Sequence, residues 1–155
     1  MKEIRTTADI HATAQRVWEV LTDLRAYPDW NPFITQATGG LEVGETLNLR
    51  LEPPGGLART VRPVVLEVEA PRELRWLWTK GFSGISDMEE CFVIVPKGDN
   101  RTHVIHRLTC TGLALSLPGL GAATVARLET NMREGLDVMN RALKSRVQGG
   151  QGPGL

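Results

Sequence analysis

The sequence predicts an α+β fold in which a curved seven-stranded antiparallel sheet wraps around a long C-terminal helix. Three features predict it: an opening strand followed by a helix, a middle of strand-like runs and short turns, and one long helical stripe at the end. Turns this short favour hairpins, because parallel strands need long crossovers. A long sheet twists, and one helix covers only part of its face. A space between sheet and helix is therefore expected, and it is either packed solid or a cavity.

The opening strand covers residues 4–10, where apolar or small residues alternate with polar ones. One face carries Ile4, Thr6, Ala8 and Ile10. A helix follows, with Thr13 as its predicted N-cap. Its apolar side comprises Val17, Trp18, Leu21 and Leu24. Pro28 and Pro32 prevent a long continuation, so residues 25–32 are predicted to form a turn or a second short helix.

Six strand-like runs fill the middle of the chain, and turn residues such as Gly, Pro, Asn and Asp separate most of them. The runs are residues 33–38, 45–52, 59–69, 73–79, 85–95 and 101–111. Pro63 lies inside one run and predicts a bulge or an edge position there. The last element is a helix from Leu120 to Val147, about seven turns long. Its apolar stripe comprises Val125, Leu128, Met132, Leu136, Met139 and Leu143.

The bulk composition bounds the class of protein. The 155 residues fit a single domain over residues 1–147, and the glycine-rich residues 148–155 are expected to form a disordered tail. Eighteen basic and 18 acidic residues cancel, which removes the usual electrostatic reason to expect a nucleic-acid partner. No apolar run reaches the length of a membrane span, and the start lacks an apolar signal core, so a cytoplasmic protein is expected. The oligomeric state is left open.

Strand alternation predicts which side chains face the space between sheet and helix. From the strands these are Val64, Leu66, Val68, Leu74, Trp76, Trp78, Ser86, Met88, Glu90, Phe92, Ile94, Val104, His106, Leu108 and Cys110. From the helix they are Leu128, Met132, Leu136 and Met139. Most of this surface is apolar, which is the usual composition of a ligand pocket.

Glu90 and His106 are the polar exceptions on that surface. They belong to neighbouring strands, so the two side chains could meet across the sheet. A buried carboxylate needs such a partner, and the pair could orient a polar group of a ligand or act as acid and base. The alternative is a register slip of one residue, or a wet rim at Glu90, either of which separates them.

Other motifs in the sequence are weaker indications of a functional site. The segment "PGLGAATV" at 118–125 resembles a nucleotide loop, but no strand follows the helix behind it. His103 and His106 fall on opposite faces of one strand, and Cys91 and Cys110 also differ in parity, so neither a metal site nor a disulfide is expected. We expect no cofactor.

Three stretches resemble the START/Bet v 1-like superfamily, also called SRPBCC or the polyketide cyclase/dehydrase and lipid-transport group. They are "ADIHATAQRVWEVLTDLRAYPDWNPFI", "LEVEAPRELRWLWTKGFSGISDMEECFVIVP" and "LETNMREGLDVMNRALK". The resemblance implies a helix-grip fold with a hydrophobic ligand cavity between sheet and long helix. It also implies that Trp30 and Phe33 close one end of the grip. Members include lipid carriers, plant hormone binders, aromatase/cyclases and chaperone regulators, so the fold alone does not fix the function.

These considerations predict a module that binds a small hydrophobic or amphipathic molecule, gated by loops near 53–58, 80–84 and 112–121. The predicted lining consists of Trp30, Phe33, Val64, Leu66, Trp76, Trp78, Met88, Glu90, Phe92, Val104, His106, Leu108, Leu128, Met132 and Leu136. One alternative is a polyketide cyclase or aromatase-like enzyme with Glu90 and His106 as catalytic acid and base. Another is a chaperone co-regulator or other protein-interaction module.

Overall fold

The computed structural model describes residues 2–79, 87–112 and 122–149. The opening elements are β1 (Lys2–Ile10), α1 (Ala14–Thr22), a 3₁₀ turn (Leu24–Ala26) and α2 (Tyr27–Trp30). The strands that follow are β2 (Ile34–Thr38), β3 (Asn48–Leu51), β4 (Arg59–Val61), β5 (Val64–Glu69), β6 (Glu73–Thr79), β7 (Asp87–Pro96) and β8 (Thr102–Thr111). The chain continues into α3 (Ala122–Gly149). The predicted α+β class and the two short helices after β1 are confirmed.

The strands form two antiparallel ladders, β1-β8-β7-β6-β5 and β2-β3-β4. The predicted run 59–69 is divided at Pro63 into β4 and β5, because a proline cannot donate to a ladder. The ladders still meet there: Val65 N donates to Glu45 O at 2.9 Å, and Leu47 N donates to Pro63 O at 2.8 Å. The structure therefore corrects the predicted seven strands to eight, with the break at Pro63.

Helix α3 lies across the inner face of the sheet. Its buried stripe is Met132, Leu136, Met139, Leu143 and Val147. The helix extends to Gly149, and the side chain of Gln148 accepts a hydrogen bond from His11 N at 2.9 Å. Helix α1 begins shortly after His11. Thr13 Oγ1 caps α1 by accepting a hydrogen bond from Arg16 N at 3.1 Å, as the sequence predicted.

The segment after α1 closes this end of the grip. Tyr27 is fully buried and donates its hydroxyl hydrogen to Leu21 O at 2.6 Å. Asn31 Oδ1 accepts from the backbone N–H groups of Phe33 at 3.0 Å and Ile34 at 2.8 Å, which fixes the turn into β2. Phe33 is buried in the core, whereas Trp30 is half-buried at its edge and stacks edge-on against Tyr27. This segment is thus a packed plug.

Candidate ligand-binding site

The inner face of β6, β7 and β8 is organised in rows, because residues paired across antiparallel strands point to the same side. The first row is Trp78, Met88 and Cys110, and Lys2 of β1 extends it. The second row is Trp76, Glu90 and Leu108, and Ile4 of β1 extends it. The third row is Leu74, Phe92 and His106, extended by Thr6. Strand alternation in the sequence had placed the β6, β7 and β8 members of these three rows on the inner face.

Burial changes sharply between the first row and the second. Trp76, Leu108 and Phe92 have no exposed surface. Val104 and Leu136, also predicted to line a cavity, are equally closed. A side chain with no surface accessible to water borders no water-sized void. These predicted lining residues are therefore packed against one another.

Glu90 and His106 lie in this packed part and form a hydrogen bond. His106 Nε2 and Glu90 Oε1 are 2.6 Å apart, and the two side chains are 0% and 1% exposed. Each has a further partner: Trp76 Nε1 donates to Glu90 Oε2 at 3.0 Å, and His106 Nδ1 donates to Asn140 Oδ1 at 3.1 Å. The predicted proximity of the two residues agrees with this geometry.

The network continues through α3 to the edge strand. Asn140 Nδ2 donates to Thr6 Oγ1 at 2.8 Å, so a chain of side chains links β6, β7, β8, α3 and β1. Phe92 stacks on the His106 ring with centroids 4.1 Å apart and meets Trp76 edge-on at 5.4 Å. Every member is buried, with Thr6 the most exposed at 6%. Such a satisfied buried network fixes the position of α3 on the sheet.

The first row, by contrast, retains contact with solvent. Met88 and Cys110 are half-buried although they face inwards, whereas Trp78 and Met132 are each 5% exposed. Met132 of α3 lies at the same end of the grip, because Lys2, which pairs with Cys110, bonds Glu129 one turn before Met132. We call the group of Trp78, Met88, Cys110 and Met132 the mouth cluster. It combines an aromatic ring, two thioethers and a thiol, all of which favour apolar or polarizable ligands.

The electrostatics of the mouth cluster involve the Cys110 thiol. Burial raises the pKa of this thiol above its ordinary value. The nearby charge of Arg59 opposes the rise, the Glu129 carboxylate adds to it, and Lys2 opposes it. Arg59 contacts the mouth cluster directly, because its Nη2 lies 3.8 Å from Met132 Sδ. Arg59 is therefore a basic group beside the cluster, whose β1 side carries a second charged feature, the Lys2–Glu129 ion pair at 3.0 Å.

Residues 53–58 approach α3 next to this cluster. A Cβ built on Gly55 would lie 3.3 Å from Asn131 Oδ1, and one built on Gly56 would lie 3.4 Å from Asn131 Nδ2. The loop therefore sits on the helix one residue before Met132. Of the other predicted gating loops, 80–84 and all but the first residue of 112–121 lie outside the described residues.

Three predicted orientations are wrong. Val64 and Leu66 are 40% and 36% exposed on the outer side of β5, whereas Val65 between them is buried. The break at Pro63 and the bulge between Val65 and Glu67 shift the alternation by one residue. Leu128 is 50% exposed, one turn before Met132, instead of packing on the sheet.

Several residues of the site were not selected from the sequence. Thr6 was placed on the correct face of β1, but its hydrogen bond to Asn140 was not anticipated. Asn140 follows Leu136 by four residues, a spacing that places it on the buried side of α3. Arg59 alternates with Val61 in β4 and so shares its inward face. The parity predicted for the run 59–69 does not place Arg59 inwards. Its position follows only from its pairing with Leu51.

A separate groove of about 510 Å³ lies outside the grip, between β1 and α3. Its walls are mainly polar: Thr7, Ala8, Asp9, Asp137, Asn140, Arg141 and Lys144. It touches the buried network only through Asn140. The described residues include no cluster of three or more His, Cys, Asp or Glu side chains suited to a metal ion. None of the described helices is long and apolar enough to cross a membrane.

The helix-grip architecture and the inward rows define a START-like protein. The chain belongs to the polyketide cyclase/dehydrase and lipid transport family, whose model matches residues 1–144. No curated protein sequence matches it significantly.

Solved structures with the same fold are distant in sequence. A START superfamily protein from Mycobacterium smegmatis is 22% identical with a TM-score of 0.71, and the match covers 95% of this chain and 97% of that one. The Zhui aromatase/cyclase from Streptomyces sp. R1128 is 17% identical with a TM-score of 0.77, covering 98% and 96%. A norcoclaurine synthase from Thalictrum flavum is 16% identical with a TM-score of 0.70, covering 97% and 96%. Such identities establish the fold and leave the activity open.

Proposed function

We propose that the protein binds a small hydrophobic or amphipathic molecule at the mouth cluster, between the sheet and the first turns of α3. The observation that carries the proposal is the change in burial along the inner face. Met88 and Cys110 of the first row are half-buried, whereas the side chains of the second and third rows are at most 6% exposed, so within the described rows solvent reaches the inner face mainly beside Met88 and Cys110. Membership of a family described as including lipid transport supports the same reading.

The packed rows define how far a ligand would enter. Glu90 and Trp76 form the floor beneath the first row, and their hydrogen bond ties that floor together. A ligand would therefore contact Trp78, Met88, Cys110 and Met132. The sequence-based lining of Phe92, Val104 and Leu108 would stay beneath it.

The cyclase-like alternative rests on the Glu90–His106 hydrogen bond. An acid–base pair must reach the proton that it transfers, directly or through one water. With exposures of 0% and 1%, neither side chain meets that condition in this conformation. We therefore assign the pair to the network that holds α3, and we place ligand recognition at the mouth cluster.

Binding of N-phenyl-1-naphthylamine, a neutral probe that fluoresces in apolar surroundings, tests the proposal. Cys110→Trp fills the mouth cluster and is expected to abolish the fluorescence increase. Thr109→Trp is the matched control, because Thr109 is the adjacent residue on the outer face of β8. Met88→Trp gives a second filling variant if Cys110→Trp unfolds. Undiminished probe binding by folded filling variants would contradict the proposal.

A further inference from the structure

Arg59 is an unusual residue for the inner face of this sheet. It pairs with Leu51 across β3 and β4, and two residues later Val61 pairs with Leu49. Leu49 and Leu51 have no exposed surface and belong to the core. Because directly opposed residues share a face, Arg59 projects towards the grip. Its guanidinium accordingly lies against Met132, with Nη2 3.8 Å from Sδ.

The guanidinium has one buried donor without an acceptor and a second whose recorded partner is a weak acceptor. Arg59 Nε is buried with no hydrogen-bond partner, and the thioether sulfur that Nη2 contacts is only a weak acceptor. Buried polar groups in native proteins are ordinarily paired, so an unfilled donor at the edge of a binding site indicates a missing acceptor.

The other half-buried arginines of the sheet provide the comparison. Arg75 also has an unpartnered Nε, but its terminal nitrogens bind Glu73 at 2.9 Å and Glu89 at 3.2 Å. Arg107 likewise has an unpartnered Nε, and its Nη1 lies 3.9 Å from Glu3 Oε1. In residues 2–79, 87–112 and 122–149, Arg59 has no acidic side chain within ion-pair distance. The sequence outside those ranges contains no Asp or Glu.

We infer that Arg59 receives an anionic group of the ligand, so that the natural ligand is an amphipathic acid carrying a carboxylate, sulfonate or phosphate. This inference rests on the proposed function and names the chemical class that it binds. The anion would sit at the β4 side of the mouth, and the apolar part would contact Trp78, Met88 and Met132. Arginine suits this role because its planar fork binds oxyanions through two parallel hydrogen bonds.

Two fluorescent probes that differ by one anionic group test the inference. N-phenyl-1-naphthylamine is neutral, and 1-anilinonaphthalene-8-sulfonate is the same ring system with a sulfonate. The wild-type protein is expected to bind the sulfonate at least about tenfold more tightly, the value of one good charge-assisted contact. Arg59→Gln is expected to remove that advantage while leaving the affinity for the neutral probe unchanged.

Controls separate this inference from simple charge effects. Arg50→Gln removes a cation from the outer face of neighbouring β3, where Arg50 lies 3.7 Å from Glu52, and is expected to leave both affinities unchanged. Arg59→Lys keeps the charge without the fork and is expected to give an intermediate affinity for the sulfonate. The melting temperature of Arg59→Gln should equal or exceed that of the wild type, because an unpaired, half-buried charge does not stabilise the fold.

The outcomes distinguish the two claims. Equal binding of both probes by the wild type, or a sulfonate affinity that Arg59→Gln leaves intact, would overturn the inference while the proposed function stands. Failure of the neutral probe to bind would contradict the proposed function itself. Displacement of the sulfonate by decanoate or by decyl phosphate then shows which oxyanion the site prefers, and displacement by neither would also count against the inference.

Discussion

The ring of Phe33 occupies the space that a side chain at Gly135 would need. A Cβ built on Gly135 would lie 2.6 Å from both Phe33 Cδ1 and Cε1, well inside van der Waals contact. This contact brings the end plug against the middle of α3. Close packing therefore requires glycine at this position, although glycine is an unfavourable residue for a helix interior.

Gly135→Ala is expected to destabilise the protein despite the better helix propensity of alanine. Alanine gains about 1 kcal/mol in a helix interior, whereas overpacking a core costs about 1–3 kcal/mol, and contact with a rigid ring lies at the upper end. Denaturant unfolding measures the change. In a Phe33→Leu background the clash is relieved, so the same substitution should become neutral or stabilising. A stabilising Gly135→Ala in the wild-type background would show that the ring moves freely.

Removing one partner of the Glu90–His106 pair is expected to destabilise the fold strongly. His106→Phe leaves the Glu90 carboxylate buried without its histidine, which typically costs about 3–5 kcal/mol. The double variant Glu90→Leu/His106→Phe should recover most of that loss. Glu89→Gln, the adjacent residue on the outer face, breaks only a partly exposed pair with Arg75 and should cost about 0–1 kcal/mol. A His106→Phe change no larger than that of Glu89→Gln would refute the structural role.

Tyr27 is the chain's single tyrosine, so its ionisation can be followed without interference from others. Burial is the main cause that raises the pKa of the Tyr27 phenol well above its ordinary value, and the charge of Glu90 adds to it. The raised pKa contributes to the free energy of unfolding. The contribution is fully present below about pH 10, the pKa of tyrosine in the unfolded chain, and it is lost as the pH rises above that value. Near-ultraviolet absorbance should therefore show phenolate only as the protein unfolds in alkali. A reversible titration near pH 10 with native circular dichroism would contradict the burial of Tyr27.

The two cysteines should react slowly with alkylating reagents near neutral pH. Burial raises the pKa of both thiols, and at Cys91 the neighbouring Arg107 partly opposes the rise. Less thiolate is then present at a given pH than in the unfolded chain. Iodoacetamide rates measured against pH in the single-cysteine variants Cys91→Ser and Cys110→Ser should rise at higher pH than in denaturant. Rate profiles that coincide with those of the unfolded protein would show that neither thiol is shielded.

Much of the fold followed from the sequence because period and turn chemistry agree in this chain. Alternation in β6, β7 and β8 predicted the inward rows and brought Glu90 next to His106, since no bulge interrupts those ladders. The same rule failed at Val64 and Leu66, because Pro63 and a bulge reset the parity of β5. A one-residue shift of this kind is decided by tertiary packing and is not visible in the local pattern.

The sequence could not predict which of the inward-facing side chains remain accessible to solvent. Inward parity gives the direction of a side chain but not whether the opposing helix fills the space in front of it. The sequence thus assigned Phe92 and Met88 alike to a cavity wall, although Phe92 has no exposed surface and Met88 is half-buried. Arg59 was overlooked for a related reason: its inward position depends on pairing with Leu51 across the glycine-rich loop.

The central claim is that a ligand occupies the mouth cluster and leaves the deeper rows closed. Protection of Cys110 from iodoacetamide by saturating N-phenyl-1-naphthylamine tests this most directly, with Cys91 on the outer face of the same sheet as the internal reference. The bound probe is expected to slow alkylation of Cys110 several-fold, by simple steric cover, and to leave the rate at Cys91 unchanged. An unchanged Cys110 rate with the probe demonstrably bound would contradict this claim.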